Sequence, residues 1–233
     1  MGDIGYMNTY TDLCDKHFGE TAFILGAGPS LYSAMQESVF NRLCEQGIII
    51  TVNSGVVAFP KFDYWVSTDS LCRNWSWWDL VKNGKGQKVV RDSWLRYKKE
   101  LKDFLYFKAR PTSEDIVNPD DVGLCYCNSF SASIDLAIQM GCLNIFLLGL
   151  DHKSLDSKNH FWQFFNNKKQ PRQIKPAQGP WKQQQSVFPI HLKAYKALEK
   201  FSKHKNCKIY NCNPDSDVKV FEKIKFKKVL SYL

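Results

Sequence analysis

Five polar clusters in this chain could do chemistry, and each sits at the end of an apolar run or the start of a helical one. Gly26-Ala27-Gly28-Pro29-Ser30 follows "TAFIL", Asn53 and Ser54 follow "IIITV", and Thr68, Asp69 and Ser70 follow "DYWVS". Asn128, Ser129, Ser131 and Ser133 open the helical pattern "SFSASIDLAIQ", and Asp151, His152 and Lys153 follow "NIFLLGL". Glycines let the main chain approach an anion, and a helix N-terminus offers unpaired N–H groups and the positive end of a dipole. Ser30, Ser129 and Ser131 add hydroxyl donors, and Asn53 can both donate to and accept from a base or sugar. Asp69 and Asp151 can hold a ribose diol or a magnesium ion, and Lys153 can neutralise a departing phosphate. Taken singly, Gly-x-Gly marks a turn, a serine at a helix start is a cap and Asp69 is a turn former. Their common position at strand ends is what points to a ligand.

The elements that must hold these clusters follow from periodicity. Continuous apolar runs at "TAFIL", "IIITVNS", "DYWVSTD", "QKVVRD", "FLYFKA", "NIFLLGLD" and "CKIYNCN" read as strands, several of them buried on both faces. Between them "PSLYSAMQESVFNRLCEQG" reads as one helix, with Pro29 and Ser30 in its first turn and Gly47 as its stop. "SWLRYKKELKDF", "SFSASIDLAIQMG" and "HLKAYKALEKFSKHK" read as three more helices. Alternating strands and helices predict an α/β domain with a mostly parallel sheet, helices on both faces and right-handed connections. In such sheets ligands bind in the crevice beyond the carboxyl ends of the strands, so the five clusters are expected on one rim.

Two common nucleotide sites are disfavoured. The dinucleotide fingerprint needs a third glycine where Leu31 stands, and an acidic residue where Asn53 ends the second strand; no Walker A pattern occurs. The segment from Lys153 to Pro189 has little periodicity but carries Phe161, Trp162, Phe164, Phe165, Trp181 and Phe188 among prolines and glutamines. That is too long for a passive connection and too aromatic for a disordered linker, which predicts a lid-like insertion. The expected organisation is a lead-in over 1–20, a nucleotide-binding core over 21–152, the insertion over 153–189, and a helix, strand and basic tail over 190–233 that complete the core.

Bulk composition sets the remaining bounds. The chain has 233 residues, 44% hydrophobic and 24% charged, enough for one large core. No apolar stretch is long enough for a membrane span, no signal-peptide pattern opens the chain, and Tyr6 occupies the position where a myristoylation signal has Ser or Thr. The expected location is the cytoplasm of a cell or infected host. The eight cysteines include no C-x-x-C pair, and they are expected as reduced, mostly buried thiols. A net charge of +9 and a pI near 9.1 favour a polyanionic partner.

The ordered set "ILGAGPSL", "TVNSG", "FPKFDYWVSTDS" and "NSFSASIDLAIQMGCLNIFLLGLDH" resembles the MptE-like superfamily of Rossmann-type proteins, which includes 6-hydroxymethylpterin diphosphokinases and motility-associated flagellin glycosyltransferases. It is also similar to the family 42 bacterial sialyltransferases, which share the Gly-Pro-Ser-Leu turn. The resemblance covers roughly residues 21–69 and 128–151, with a weaker echo over 191–214. It implies a Rossmann-like fold and a nucleotide held by Gly26, Gly28, Pro29, Ser30 and Asn53, with Asn128 and Ser129 near its phosphate or ribose. It further implies His191 as general base for an acceptor hydroxyl. The sialyltransferases place tyrosines beyond their Gly-Ile-Asp, where this chain has Lys153 and the neighbourhood of His160, and they have glycine where this chain has Phe130.

Three functions follow as expectations. The first is a nucleotide-sugar-dependent glycosyltransferase, sialyltransferase-like, with a CMP-activated donor and no cofactor assigned. The second is a diphosphokinase using ATP and magnesium, for which Asp63, Asp69 and Asp151 are the available acids. The third is a protein that binds or modifies nucleic acid through the basic insertion and tail, where aromatics among lysines suit single strands.

Overall fold

A computed structural model describes residues 9–38, 40–110, 123–125, 127–165 and 181–232, without the side chains of Leu43 and residues 181–186. The expected α/β sheet is present. Eight strands, all parallel, run in the order β10-β9-β8-β1-β2-β3-β4-β5. They are β1 (Thr21–Leu25), β2 (Ile48–Val52), β3 (Tyr64–Ser67), β4 (Gln87–Arg91), β5 (Leu105–Phe107), β8 (Asn144–Leu148), β9 (Lys208–Asn211) and β10 (Glu222–Lys223). A separate parallel pair, β6 (Ala109–Arg110) with β7 (Leu124–Cys125), lies between β5 and β8 in the sequence. The chain winds outward from β1 through β5 on one side and returns to β8, β9 and β10 on the other. The order therefore reverses between β1 and β8, where the crevice of a doubly wound sheet opens.

Both faces of the sheet are covered, which is why its strands read as unbroken apolar runs. Ala22 and Ile24 of β1 and Ile145 and Leu147 of β8 pack with α4 (Ser129–Gln139) and α5 (Trp181–His204). Phe23, Leu25, Phe146 and Leu148 face the opposite way, into a core with α1 (Ser30–Met35), α2 (Phe40–Cys44) and α3 (Trp78–Asn83). On that side Trp65 makes edge contacts with Trp77, Trp78 and Trp94.

Three elements differ from the expectation. The helix expected over 29–47 is two short helices, α1 and α2. Leu31 and Phe40 are both buried in the same core, yet nine helical steps of about 100° would set them on opposite sides of one helix. The break after Met35 is what lets both turn inward. The helix expected over 93–104 is a 3-10 helix at Asp92–Tyr97 that inserts the fully buried Trp94. The late helix starts at Trp181, well before His191, with Pro189 in its interior. The expected boundary at 189/190 thus falls inside α5, and His191 lies mid-helix. Pro189 removes one helical hydrogen bond, and tertiary packing overrides that local cost.

In the first part of the expected insertion, Phe161 is buried, its N–H donates to the Ala27 carbonyl at 3.0 Å, and Phe164 stacks on Tyr32 of α1. Residues 166–180, with Pro171, Pro176 and Pro180, lie outside the described residues, as does the side chain of Trp181. Of the cysteines, Cys14 is exposed, Cys127 half-buried and the other six buried, and none is in a disulfide. Among the described residues no helix is long and apolar enough to cross a membrane.

Candidate functional site

The glycine turn after β1 is held from within the protein. Gly26 N–H donates to Leu148 O at 2.8 Å and Gly28 N–H to Gly149 O at 3.0 Å, so the turn is tied to the end of β8. Asp151, 3% exposed, accepts from Ser30 N–H at 2.7 Å, from Ser30 Oγ at 2.6 Å and from Asn213 Nδ2 at 2.7 Å. Burial pushes its carboxyl above the usual range, while the Ser30 and Asn213 donors and nearby Lys153 pull the other way. The donors that Ser30 was expected to offer a phosphate are thus turned to the Asp151 carboxylate. The two glycines have the same kind of cause. A Cβ on Gly28 would lie 2.5 Å from Asp151 Oδ2, and one on Gly26 would lie 2.3 Å from the Phe130 ring. Gly26 makes room for the Phe130 ring.

Beside this turn is a cavity of about 350 Å³ at the β1–β8 crevice. Of the residues singled out from the sequence, Gly28, Pro29, Asn53, Asn128, Ser129, Asp151, Lys153 and His191 line it. Gly26, Ser30 and Asp69 do not line it. Gly26 lies beneath Phe130, Ser30 belongs to a neighbouring cavity, and Asp69 caps a 3-10 turn by accepting from Leu71 N–H at 2.9 Å. Asp63 lies elsewhere, accepting from Ile49 N–H. Among the described residues no three His, Cys, Asp or Glu side chains gather as a metal site.

The donors at the cavity come from elements locked by short contacts. Asn128 caps α4: its Oδ1 accepts from Ser131 N–H at 2.8 Å, and Ser131 Oγ accepts in return from Asn128 N–H at 3.0 Å. The N–H groups of Ser129 and Phe130 have no acceptor within the helix, so the positive end of an eleven-residue helix lies at the cavity wall. Ser129 Oγ meets both the N–H and the hydroxyl of Thr68 at 2.9 Å, joining α4 to the end of β3. Asn53 adopts a left-handed φ of 50°, and its Oδ1 accepts from Ser67 Oγ at 2.8 Å. Its Nδ2 remains to serve a ligand.

No protein-family model and no curated protein sequence matches this chain. Among solved structures its fold is similar to that of a MAf glycosyltransferase from Magnetospirillum magneticum AMB-1, with a TM-score of 0.54 and 12% identity. The match covers 97% of this chain and 39% of that protein's chain. At this identity the likeness shows the fold, a Rossmann-like α/β sheet.

The structure joins His152 to Tyr195, a residue that sequence reading passed over. His152 and Tyr195 line the cavity beside His191. His152 has a left-handed φ of 51°, and its ring lies 5.2 Å from His191 and 4.8 Å from Phe188. The fully buried Tyr195 hydroxyl lies 3.2 Å from His152 Nε2 and 3.2 Å from Asn128 Nδ2. Because Asn128 Oδ1 is engaged by Ser131, its Nδ2 is the donor to Tyr195. The Tyr195 proton then goes to His152 Nε2, the arrangement that leaves no buried donor without an acceptor. His152 therefore carries its proton on Nδ1 and acts as a donor. Burial also drives the Tyr195 hydroxyl well above its ordinary range, so it stays protonated.

Burial, and to a lesser degree His191, lowers the His152 pKa to about 4 from an ordinary 6.5. A histidine with a depressed folded pKa contributes stability above its unfolded value and loses it as pH falls through the folded one. Unfolding free energy is therefore expected to fall by about 3 kcal/mol on this account between roughly pH 6.5 and 4. Urea titrations of wild type and His152→Asn across that range measure it. The variant, which tolerates the left-handed φ, should show the shallower pH slope, and equal slopes would remove His152 as the cause.

Proposed function

We propose that the chain binds a nucleotide-activated sugar in the β1–β8 cavity and transfers the sugar to an acceptor hydroxyl. The observation that carries this reading is the meeting, in one cavity, of a neutral imidazole, a lysine and the start of an eleven-residue helix. Burial lowers the His191 pKa, keeping the ring in its basic, uncharged form near neutral pH. The likeness in fold to a MAf glycosyltransferase supports the same reading. The nucleotide's phosphate would lie against the Ser129 and Phe130 N–H groups and Lys153, with Asn53 Nδ2 on the ribose or base. The acceptor hydroxyl would give its proton to His191 while its oxygen bonds to the anomeric carbon. The bond from that carbon to the phosphate oxygen would break, and the nucleotide would leave with the electron pair. Lys153, the helix and the His152 donor would stabilise the charge that develops there. CMP-activated sialic acid is the donor favoured by the Gly-Pro-Ser-Leu resemblance.

Thermal shift with CMP, UDP and their sugar conjugates tests the reading. A ligand at about a hundred times its dissociation constant stabilises by about 2.7 kcal/mol, a shift of several degrees for a chain of this size. Asn53→Ala is expected to shrink the shift. A flat response to every nucleotide and nucleotide sugar would sink the proposal.

A further inference from the structure

A second cavity, of about 380 Å³, adjoins the first, and the two share Pro29, Asp151 and Lys153. Its walls come from α1, from the turn after β9 and from the start of the 3-10 helix Phe226–Ser231 that follows β10. A ligand there would present one end to the first cavity across the Asp151 ridge. Ala34, Pro214 and Phe226 give it an apolar side, while Ser33 and Asp215 offer a hydroxyl and a carboxylate. Lys153, Lys225 and Lys227 supply positive charge. Two of the three carboxylates are already engaged: Asp151 accepts from Ser30 and Asn213, and Glu37 pairs with Lys227 at 3.4 Å. Lys225 is exposed and makes no ion pair among the described residues.

We propose that this second cavity is the acceptor subsite and takes a saccharide that carries an anionic group, a uronate or a sugar phosphate. The apolar wall suits the C–H face of a sugar ring, Ser33 and Asp215 suit its hydroxyls, and Lys225 suits the anion. The acceptor role rests on the transfer reading above, and the saccharide site does not.

The test is ligand-observed NMR with glucuronate, glucose 6-phosphate, glucose and inorganic phosphate, on wild type and Lys225→Ala, with thermal shift by CMP and UDP run alongside. The two anionic sugars are expected to bind at least tenfold more tightly than glucose or phosphate alone. Whichever of them binds more tightly identifies the anion. Lys225→Ala should weaken both at least tenfold and leave the nucleotide shift unchanged. Displacement of the sugar by CMP or UDP, indifference to Lys225→Ala, or phosphate binding as well as glucose 6-phosphate would each overturn the proposal. A nucleotide shift without sugar binding overturns it too and leaves the transfer reading standing. Sugar binding without a nucleotide shift upholds the saccharide site and overturns the transfer reading.

Discussion

His191→Ala is expected to slow sugar transfer by about 10²–10⁴-fold, the usual loss when a general base is removed, while nucleotide binding stays within a few-fold. Three histidines line the cavity, His152, His160 and His191, and the hydrogen-bond pattern assigns the first and last different work. His152 accepts from Tyr195 at Nε2, so Nδ1 bears its proton and it can only donate to a ligand. His191 Nδ1 is buried with no hydrogen-bond partner among the described residues, and its ring meets His152 edge-on. A base of that kind is weakly oriented until a ligand closes on it, which suits a site that completes itself on binding. The distinguishing readout is the pH profile. With His191 as base, the rate should rise through a midpoint below the ordinary histidine value and then level off. His152→Asn should lower the plateau without abolishing that rise, because it removes a donor and not the base. A His191→Ala enzyme that keeps its rate within a few-fold would remove His191 from the chemistry.

Much of this site was legible because the crevice rule needs only strand ends, and the strands of a two-sided sheet announce themselves as apolar runs. Gly28, Pro29, Asn53, Asn128, Ser129, Asp151, Lys153 and His191 converge on one cavity, and Gly26, Ser30 and Asp69 do not. What could not be read was the direction in which short polar groups point. Gly28 and Ser30 look the same in sequence whether they meet a phosphate or the carboxylate of Asp151, 121 residues away from Ser30. Gly26 was equally ambiguous until Phe130 was found against it. Tyr195 sits amid the pattern of a buried helix face, where an aromatic residue is ordinarily packing, and nothing local shows that its hydroxyl reaches His152. The extent of α5 was masked by Pro189 and by the glutamines before it, which weaken the apolar period. The α1–α2 break was hidden because no glycine or proline stands between Leu31 and Phe40, although those two residues would lie half a turn apart on one helix.

The largest stability effect is expected from the buried pair Arg110 and Asp135, which sets the height of α4 and hence the position of Asn128 and Ser129. Arg110 Nη2 donates to Asp135 Oδ2 at 2.7 Å, with side-chain exposures of 4% and 0%. Asp135 also accepts from Cys125 N–H and from Gln139 Nε2, and thereby ties α4 to β7. Burial pushes the Asp135 carboxyl up, Arg110 being the chief opposing influence. Arg110→Ala leaves that carboxylate uncompensated in an apolar layer and is expected to cost about 3–5 kcal/mol, measured by urea denaturation at pH 7. Arg110→Met combined with Asp135→Leu should recover most of the loss, since the double change removes both charges and fills similar volume. The comparison separates two roles for the pair. If the double variant regains stability and the nucleotide shift together, the pair's contribution to the site is simply to hold α4 in place. If stability returns while the nucleotide shift stays lost, the hydrogen bonds that Asp135 accepts from Cys125 and Gln139 set the angle at which the start of α4 meets the cavity. A single Arg110→Ala change costing less than 1 kcal/mol would show that water or rearrangement reaches Asp135, and would remove the pair as the anchor of the helix.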